Sequence, residues 1–222
     1  KFAGYDGIAV YGKSDRPAYL LIRDDDVQIK DASPLWGKGA ARAREQLKAE
    51  LGKAVKVLTT GPAGENLVRY SIISCNLARA AVRNGKGAVM GSKKLKANVV
   101  RGDKPDQDVD PERFNRACAH LQSTLEEHPE FEPRRLYGTT RIMDSLAKMG
   151  VLPAYHYQST VYADLQKVNA ETLRRDHVVK PNSCYNCNVH CSRYNYTSYN
   201  EGEGPEYEAQ AGFTVKCGNS DL

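Results

Sequence analysis

Three cysteines stand within eight residues in Asn182-Ser-Cys184-Tyr-Asn-Cys187-Asn-Val-His-Cys191. This C-x2-C-x3-C spacing restricts the fold more than any other feature of the chain. Three thiolates so close in sequence can close on one soft metal centre, an iron–sulfur cluster or zinc; the bland alternative is three unligated thiols. A centre that takes three ligands from one turn needs a fourth from elsewhere. A chain built for it turns tightly here and takes its last ligand from a distant segment.

The other cysteines, Cys75, Cys118 and Cys217, are scattered, so the six do not read as a disulfide framework. A reducing compartment, the cytoplasm, is the expectation. The 222 residues suffice for one large domain or two small ones. Hydrophobic content of 41% and charged content of 27% are those of an ordinary globular chain, and no run of 18 apolar residues predicts a membrane span. The net charge of +5 suits an anionic ligand as readily as nucleic acid. Lys1 opens on chain that already reads as structured, and Leu222 stands only a few residues after the apolar pair Phe213 and Val215. The expectation is a piece of a longer protein.

Patterning divides the chain. Gly7–Gly12, Ala18–Arg23 and Val27–Lys30 read as strands separated by turns. Ser33-Pro34 opens a helical region. Ala40–Leu51 carries helix formers, with Leu47 and Leu51 four apart and Gly52 as the stop. Val55–Thr59, Val68–Ile73 and Lys96–Val100 read as further strands. Gly102-Asp-Lys-Pro-Asp-Gln-Asp108 is then a polar hinge. Asp110-Pro111-Glu112 starts a helix reaching about His128. Thr139–Met149 and Glu171–Asp176 read as two more. The fold class expected is α+β. Residues 1–102 form a β-rich cofactor-binding part, and residues 103–222 begin a helical domain carrying the cysteines.

The second chemical segment runs from Arg79 to Lys96. Gly85, Gly87 and Gly91 let backbone approach a ligand closely, and Arg79, Arg83, Lys86, Lys93 and Lys94 surround them with donors. Exposed N–H groups and guanidinium forks suit a phosphate or another multi-oxygen anion. The spacing matches neither a Walker A loop nor a dinucleotide fingerprint. A solvated basic loop is the competing reading.

Six motifs then stand in one order: Phe2-Ala-Gly-Tyr-Asp6, Leu35-Trp-Gly-Lys38, Gly61-Pro-Ala-Gly-Glu-Asn-Leu-Val68, Gly87-Ala-Val-Met-Gly-Ser-Lys93 with Leu95-Lys-Ala97, the cysteine trio, and Gly204-Pro-Glu-Tyr-Glu208. Together they resemble the aldehyde ferredoxin oxidoreductases, tungstopterin enzymes whose chains are considerably longer. The resemblance implies a [4Fe–4S] cluster held by Cys184, Cys187 and Cys191. Its fourth cysteine would lie beyond Leu222, with Cys217 the weaker substitute. It implies that Arg79, Ala80 and Arg83 contact a bis-pterin tungsten (or molybdenum) cofactor, and that Glu208 handles protons near the metal. Val82, Asn84 and Lys86 interrupt a segment that is richer in glycine elsewhere in the family, and Asn188 replaces a frequent proline. The implied reaction is oxidation of an aldehyde to a carboxylic acid, with electrons leaving through the cluster to ferredoxin or an iron–sulfur subunit. A homodimer is among the implied assemblies. The alternative within the family is a low-potential reductase of the aryl-CoA type.

Other residues carry bland readings. His120, His128, His156 and His177 are expected at the surface, and His190 beside Cys191 as a solvated side chain. Glu203, Glu206 and Glu208 taken singly read as an acidic turn, and Trp36 as core. The tyrosines 185, 194, 196, 199 and 207 interleave with Arg193, which suggests a second class, a zinc knuckle stacking on single-stranded RNA. The acidic stretch Glu201–Glu208 opposes phosphate contact, so neither nucleic acid nor membrane is expected as a partner.

Overall fold

The computed structural model describes residues 2–75, 79–81, 84–105, 110–197, 202–205 and 215. They fall into two compact units, Lys1–Asp108 and Val109–Leu222.

The first unit contains β1 (Ala18–Arg23), β2 (Asp26–Asp31), α1 (Ala40–Leu51), β3 (Lys56–Thr59), α2 (Pro62–Glu65), β4 (Ile73–Cys75), β5 (Arg79–Ala81), α3 (Lys86–Ser92) and β6 (Leu95–Arg101). The strands form one mixed sheet in the order β2-β1-β6-β3-β4-β5. β1 and β2 make a hairpin closed by Asp24, which takes φ +50°, a conformation an aspartate tolerates. β1 runs parallel to β6, and the other pairs are antiparallel. β1 is a continuous apolar run because both its faces are covered. Tyr19 and Leu21 pack with Leu47 of α1, Val57 and Val99, while Leu20 packs on the other side with Met90 of α3 and Leu95. α1 ends as its sequence predicts: Gly52 takes φ +97° and donates its N–H to the Lys48 carbonyl at 3.0 Å.

Four expectations change. Gly7–Gly12 forms no strand, and Val68–Ser71 is turn, with strand only from Ile73. The glycine stretches around 61–64 and 85–92 hold the short helices α2 and α3. The polar stretch after β6 stays fastened to this unit as far as Lys104. The Lys104 N–H donates to the Phe2 carbonyl at 2.9 Å, and its Nζ pairs with Asp25 at 2.7 Å.

The second unit contains α4 (Pro111–Glu126), α5 (Phe131–Tyr137), α6 (Ile142–Lys148), α7 (Leu165–Val168), α8 (Ala170–Asp176), β7 (Val178–Asn182), β8 (Ser192–Thr197) and β9 (Gly202–Pro205). Asp110 caps α4, its carboxylate accepting the Arg113 N–H at 2.9 Å, with Pro111 in the first turn. Asn169 caps α8 in the same way. Met143, Leu152, Ala154, Tyr162, Val168 and Val215 form the core. The sequence predicts helices and loops here, but the cysteines hang from an antiparallel sheet, β7-β8-β9. No described helix is long and apolar enough to cross a membrane.

Candidate functional site

Cys184, Cys187 and Cys191 occupy the loop between β7 and β8, whose ends are held by the pairing of Asn182 with Ser192. Inside it, the Cys187 N–H donates to the Cys184 carbonyl at 3.2 Å, closing a tight turn. Asn186 and His190, the residues just before Cys187 and Cys191, take φ +52° and +48°. This left-handed conformation is uncommon outside glycine, and Asn and His are among its more frequent occupants. Each sharp bend therefore leads directly into a cysteine.

The loop packs on the corner between α4 and α5. The Asn188 amide donates to Glu126 Oε1 at 3.1 Å. Cys187, Val189 and Cys191 share an open cavity of about 390 Å³ with Leu125, His128, Phe131 and Arg134. All three thiols are free, and Cys184 is the exposed one. Among the described residues, no three His, Cys, Asp or Glu side chains are gathered tightly enough to hold a metal ion. The donor set itself fits a soft metal: three free thiols on one short loop, two of them on one cavity. Cys217 lies outside the described residues.

Arg193, which interleaves with tyrosines in the sequence, is only 2% exposed. Its Nη1 donates to the carbonyls of His190 at 2.6 Å and Ser192 at 2.7 Å. Its Nη2 donates to those of Arg135 at 2.6 Å and Arg134 at 3.2 Å. It is thus not part of a basic surface. Nothing in the local sequence distinguishes it from an exposed arginine.

The residues expected to contact a pterin lie in the first unit. Arg79 and Ala80 are on β5, backed by Cys75 and Ser74 of β4. β5 ends the sheet order, so one of its backbone edges pairs with no strand among the described residues. A strand edge next to a guanidinium suits a flat, oxygen- and nitrogen-rich heterocycle, so these two residues fit the group. Arg83, Val82 and Glu208 lie outside the described residues.

The glycines do a different job from the one their sequence suggests. A Cβ on Gly91 would lie 1.9 Å from the Gly64 carbonyl oxygen, and one on Gly87 would lie 2.5 Å from that of Ile72. One on Gly64 would meet Thr60 Oγ1 at 2.0 Å. These glycines let α2 and α3 touch through their backbones, so protein backbone, not a ligand, fills the space. Lys93 and Lys94 donate to the carbonyls of Gly12 at 3.0 Å and Asp15 at 2.6 Å. They staple the 12–15 segment and do not surround an anion.

Three of the sequence motifs meet at a buried ion pair that the sequence reading missed. Lys96 Nζ lies 2.5 Å from Glu65 Oε1, with side chains 0% and 5% exposed. The Nζ also donates to the Lys38 carbonyl at 2.7 Å, and Glu65 Oε2 accepts the Gly37 N–H at 2.8 Å. A lysine inside the apolar run of β6 was the available signal, since buried lysines are almost always paired.

Residues 1–102 match the model of the aldehyde ferredoxin oxidoreductase N-terminal domain, and residues 116–222 match that of domains 2 and 3. Over its whole length the chain is 38% identical to a tungsten-containing aldehyde ferredoxin oxidoreductase of Pyrococcus abyssi. It is 33% identical, over 95% of its length, to the WOR-like subunit of an aliphatic sulfonate oxidoreductase of Pyrococcus furiosus. The chain spans 37% and 36% of those relatives. Among solved structures it is similar to the active-site complex BamBC of benzoyl coenzyme A reductase, with a TM-score of 0.77 and 26% identity, covering 99% of this chain and 38% of that one. Two consecutive domain models of one family account for nearly all of the sequence, and the chain belongs to the aldehyde ferredoxin oxidoreductase family.

Proposed function

We propose that the whole protein oxidises an aldehyde to a carboxylic acid, taking the oxygen from water and releasing two electrons and two protons. The observation that carries this is the thiol loop between β7 and β8 in a chain that matches this family through both units. When bound, a tungsten (or molybdenum) bis-pterin centre exchanges electron pairs and a [4Fe–4S] cluster exchanges single electrons. Cys184, Cys187 and Cys191 would hold the cluster as its thiolate ligands; Cys187 and Cys191 line one cavity, and Cys184 is exposed. Arg79 offers its fork, and Ala80 its strand edge, to the pterin; Arg83 continues that segment. Glu208 is the carboxylate that would take up the proton the substrate releases. The first unit then belongs to a pterin-binding domain, and the second begins the cluster-bearing domain. The electrons leave singly to ferredoxin or an iron–sulfur subunit. The free thiols fit a reducing cytoplasm.

The likeness to benzoyl coenzyme A reductase favours a second reading, a low-potential reductase of an aryl-CoA. The greater identity to the aldehyde enzymes, 38% against 26%, ranks it below the first. One experiment separates them. Anaerobically purified protein is expected to contain iron and sulfide, to reduce ferredoxin with an aldehyde and to leave aryl-CoA unreduced. Cys184→Ser, Cys187→Ser and Cys191→Ser should each bring iron close to zero and bleach the visible absorption. Stoichiometric zinc in the wild type would refute the reading.

A further inference from the structure

We infer that Arg193 is a positioning residue for the metal-binding loop, fastening the backbone between Cys187 and Cys191 to the last turn of α5. The inference rests on the cluster reading above for its consequence, but its geometry is independent of that reading. Arg193 is 2% exposed, and its two terminal nitrogens divide their work. Nη1 holds the loop side, the carbonyls of His190 and Ser192, which flank Cys191. Nη2 holds the helix side, the carbonyls of Arg134 and Arg135. Those carbonyls lie in the last turn of α5; the Arg134 carbonyl also accepts the Gly138 N–H, and the Arg135 carbonyl is one of the acceptors a helix end leaves over. A guanidinium fits there because its planar fork can serve two backbones at once. Lysine, a point charge on a flexible stem, cannot hold both in fixed geometry.

The held atom is the informative one. His190 takes φ +48°, a conformation that persists only where surrounding structure holds it. The Arg193 bond to its carbonyl is such a hold, and the next residue is Cys191. α5 also supplies Phe131 and Arg134 to the wall of the cavity that Cys187 and Cys191 line. Tying the loop to α5 therefore sets the thiols against that wall. The guanidinium also keeps its positive charge at all working pH values. A fixed positive charge beside an iron–sulfur cluster favours the added electron.

The test uses the purified holoprotein, with Arg193→Lys and Arg193→Met. Hydrogen exchange in residues 184–191 is expected to speed up at least tenfold in both variants, with exchange in α1 and the first-unit sheet unchanged. The cluster's midpoint potential should fall by about 59 mV or more in Arg193→Met, a tenfold change in the one-electron equilibrium. It should fall less in Arg193→Lys, which keeps the charge. Wild-type exchange in 184–191 in both variants would overturn the inference, as would one common potential in all three proteins. Loss of protection across the whole second unit in Arg193→Lys would overturn it too, making Arg193 a residue that holds the fold and not the loop. Iron in the wild type reports on the cluster reading separately, because the exchange rates report on Arg193 whichever metal is found.

Discussion

Replacing Lys96 by Met should be among the most damaging single changes in the first unit. The substitution keeps most of the side-chain volume and removes the ammonium. Glu65 then loses the donor at 2.5 Å and keeps, of its described bonds, the Gly37 N–H at 2.8 Å. Its side chain is 5% exposed, so water cannot replace what is lost. Removing one partner of a buried ion pair costs about 3–5 kcal/mol, because the other charge stays buried and uncompensated. With a urea m-value near 2 kcal/mol/M, the midpoint should fall by about 1.5–2.5 M. Trp36 is the chain's single tryptophan and directly precedes Gly37, so its fluorescence follows the unfolding of this unit. Two controls sharpen the reasoning. Arg101→Gln breaks a pair with Asp103 at 3.1 Å whose side chains are 49% and 69% exposed, and it should cost no more than about 1 kcal/mol. The double change Lys96→Met with Glu65→Leu removes both charges and should lie closer to wild type than either single change. A loss below about 1 kcal/mol in Lys96→Met, or a double variant as unstable as the sum of the singles, would refute the argument.

Two further outcomes follow from local geometry. Gly91→Ala places a methyl group 1.9 Å from the Gly64 carbonyl oxygen and 2.6 Å from its carbon. No side-chain rotation relieves a clash between backbones, so α2 and α3 must separate, at about 3 kcal/mol or more. A melting temperature within about 4 °C of wild type would contradict this. Asp31 accepts the Ser33 hydroxyl at 2.7 Å and the Ser33 N–H at 3.3 Å, and the hydroxyl is the main cause holding its pKa below the ordinary 3.8. The folded value is the lower one, so this stabilisation is complete above the unfolded pKa and is lost as pH falls through the folded one. NMR titration should find the Asp31 midpoint below 3.8 in the wild type and shifted upward in Ser33→Ala; an unmoved midpoint would reject the cause.

The features legible in the sequence are those whose physics is local. Leu47 and Leu51 at helical spacing with Gly52 behind them mark α1, and Asp110-Pro111 marks the start of α4, because caps and periodicity act over a few residues. That three thiols share one short loop was likewise written in the spacing of Cys184, Cys187 and Cys191. The rest depended on partners far along the chain. Gly87 and Gly91 read as a ligand cradle until the fold set Gly64 and Ile72 against them. Lys96 read only as the first residue of a strand until Glu65 and Lys38 closed around it. Arg193 read only as a basic residue interleaved with tyrosines until the last turn of α5 met it. A buried charge or a close backbone contact is stable only if a distant segment supplies the acceptor or leaves the space. That complement is decided when the chain closes on itself, and no window of neighbouring residues contains it.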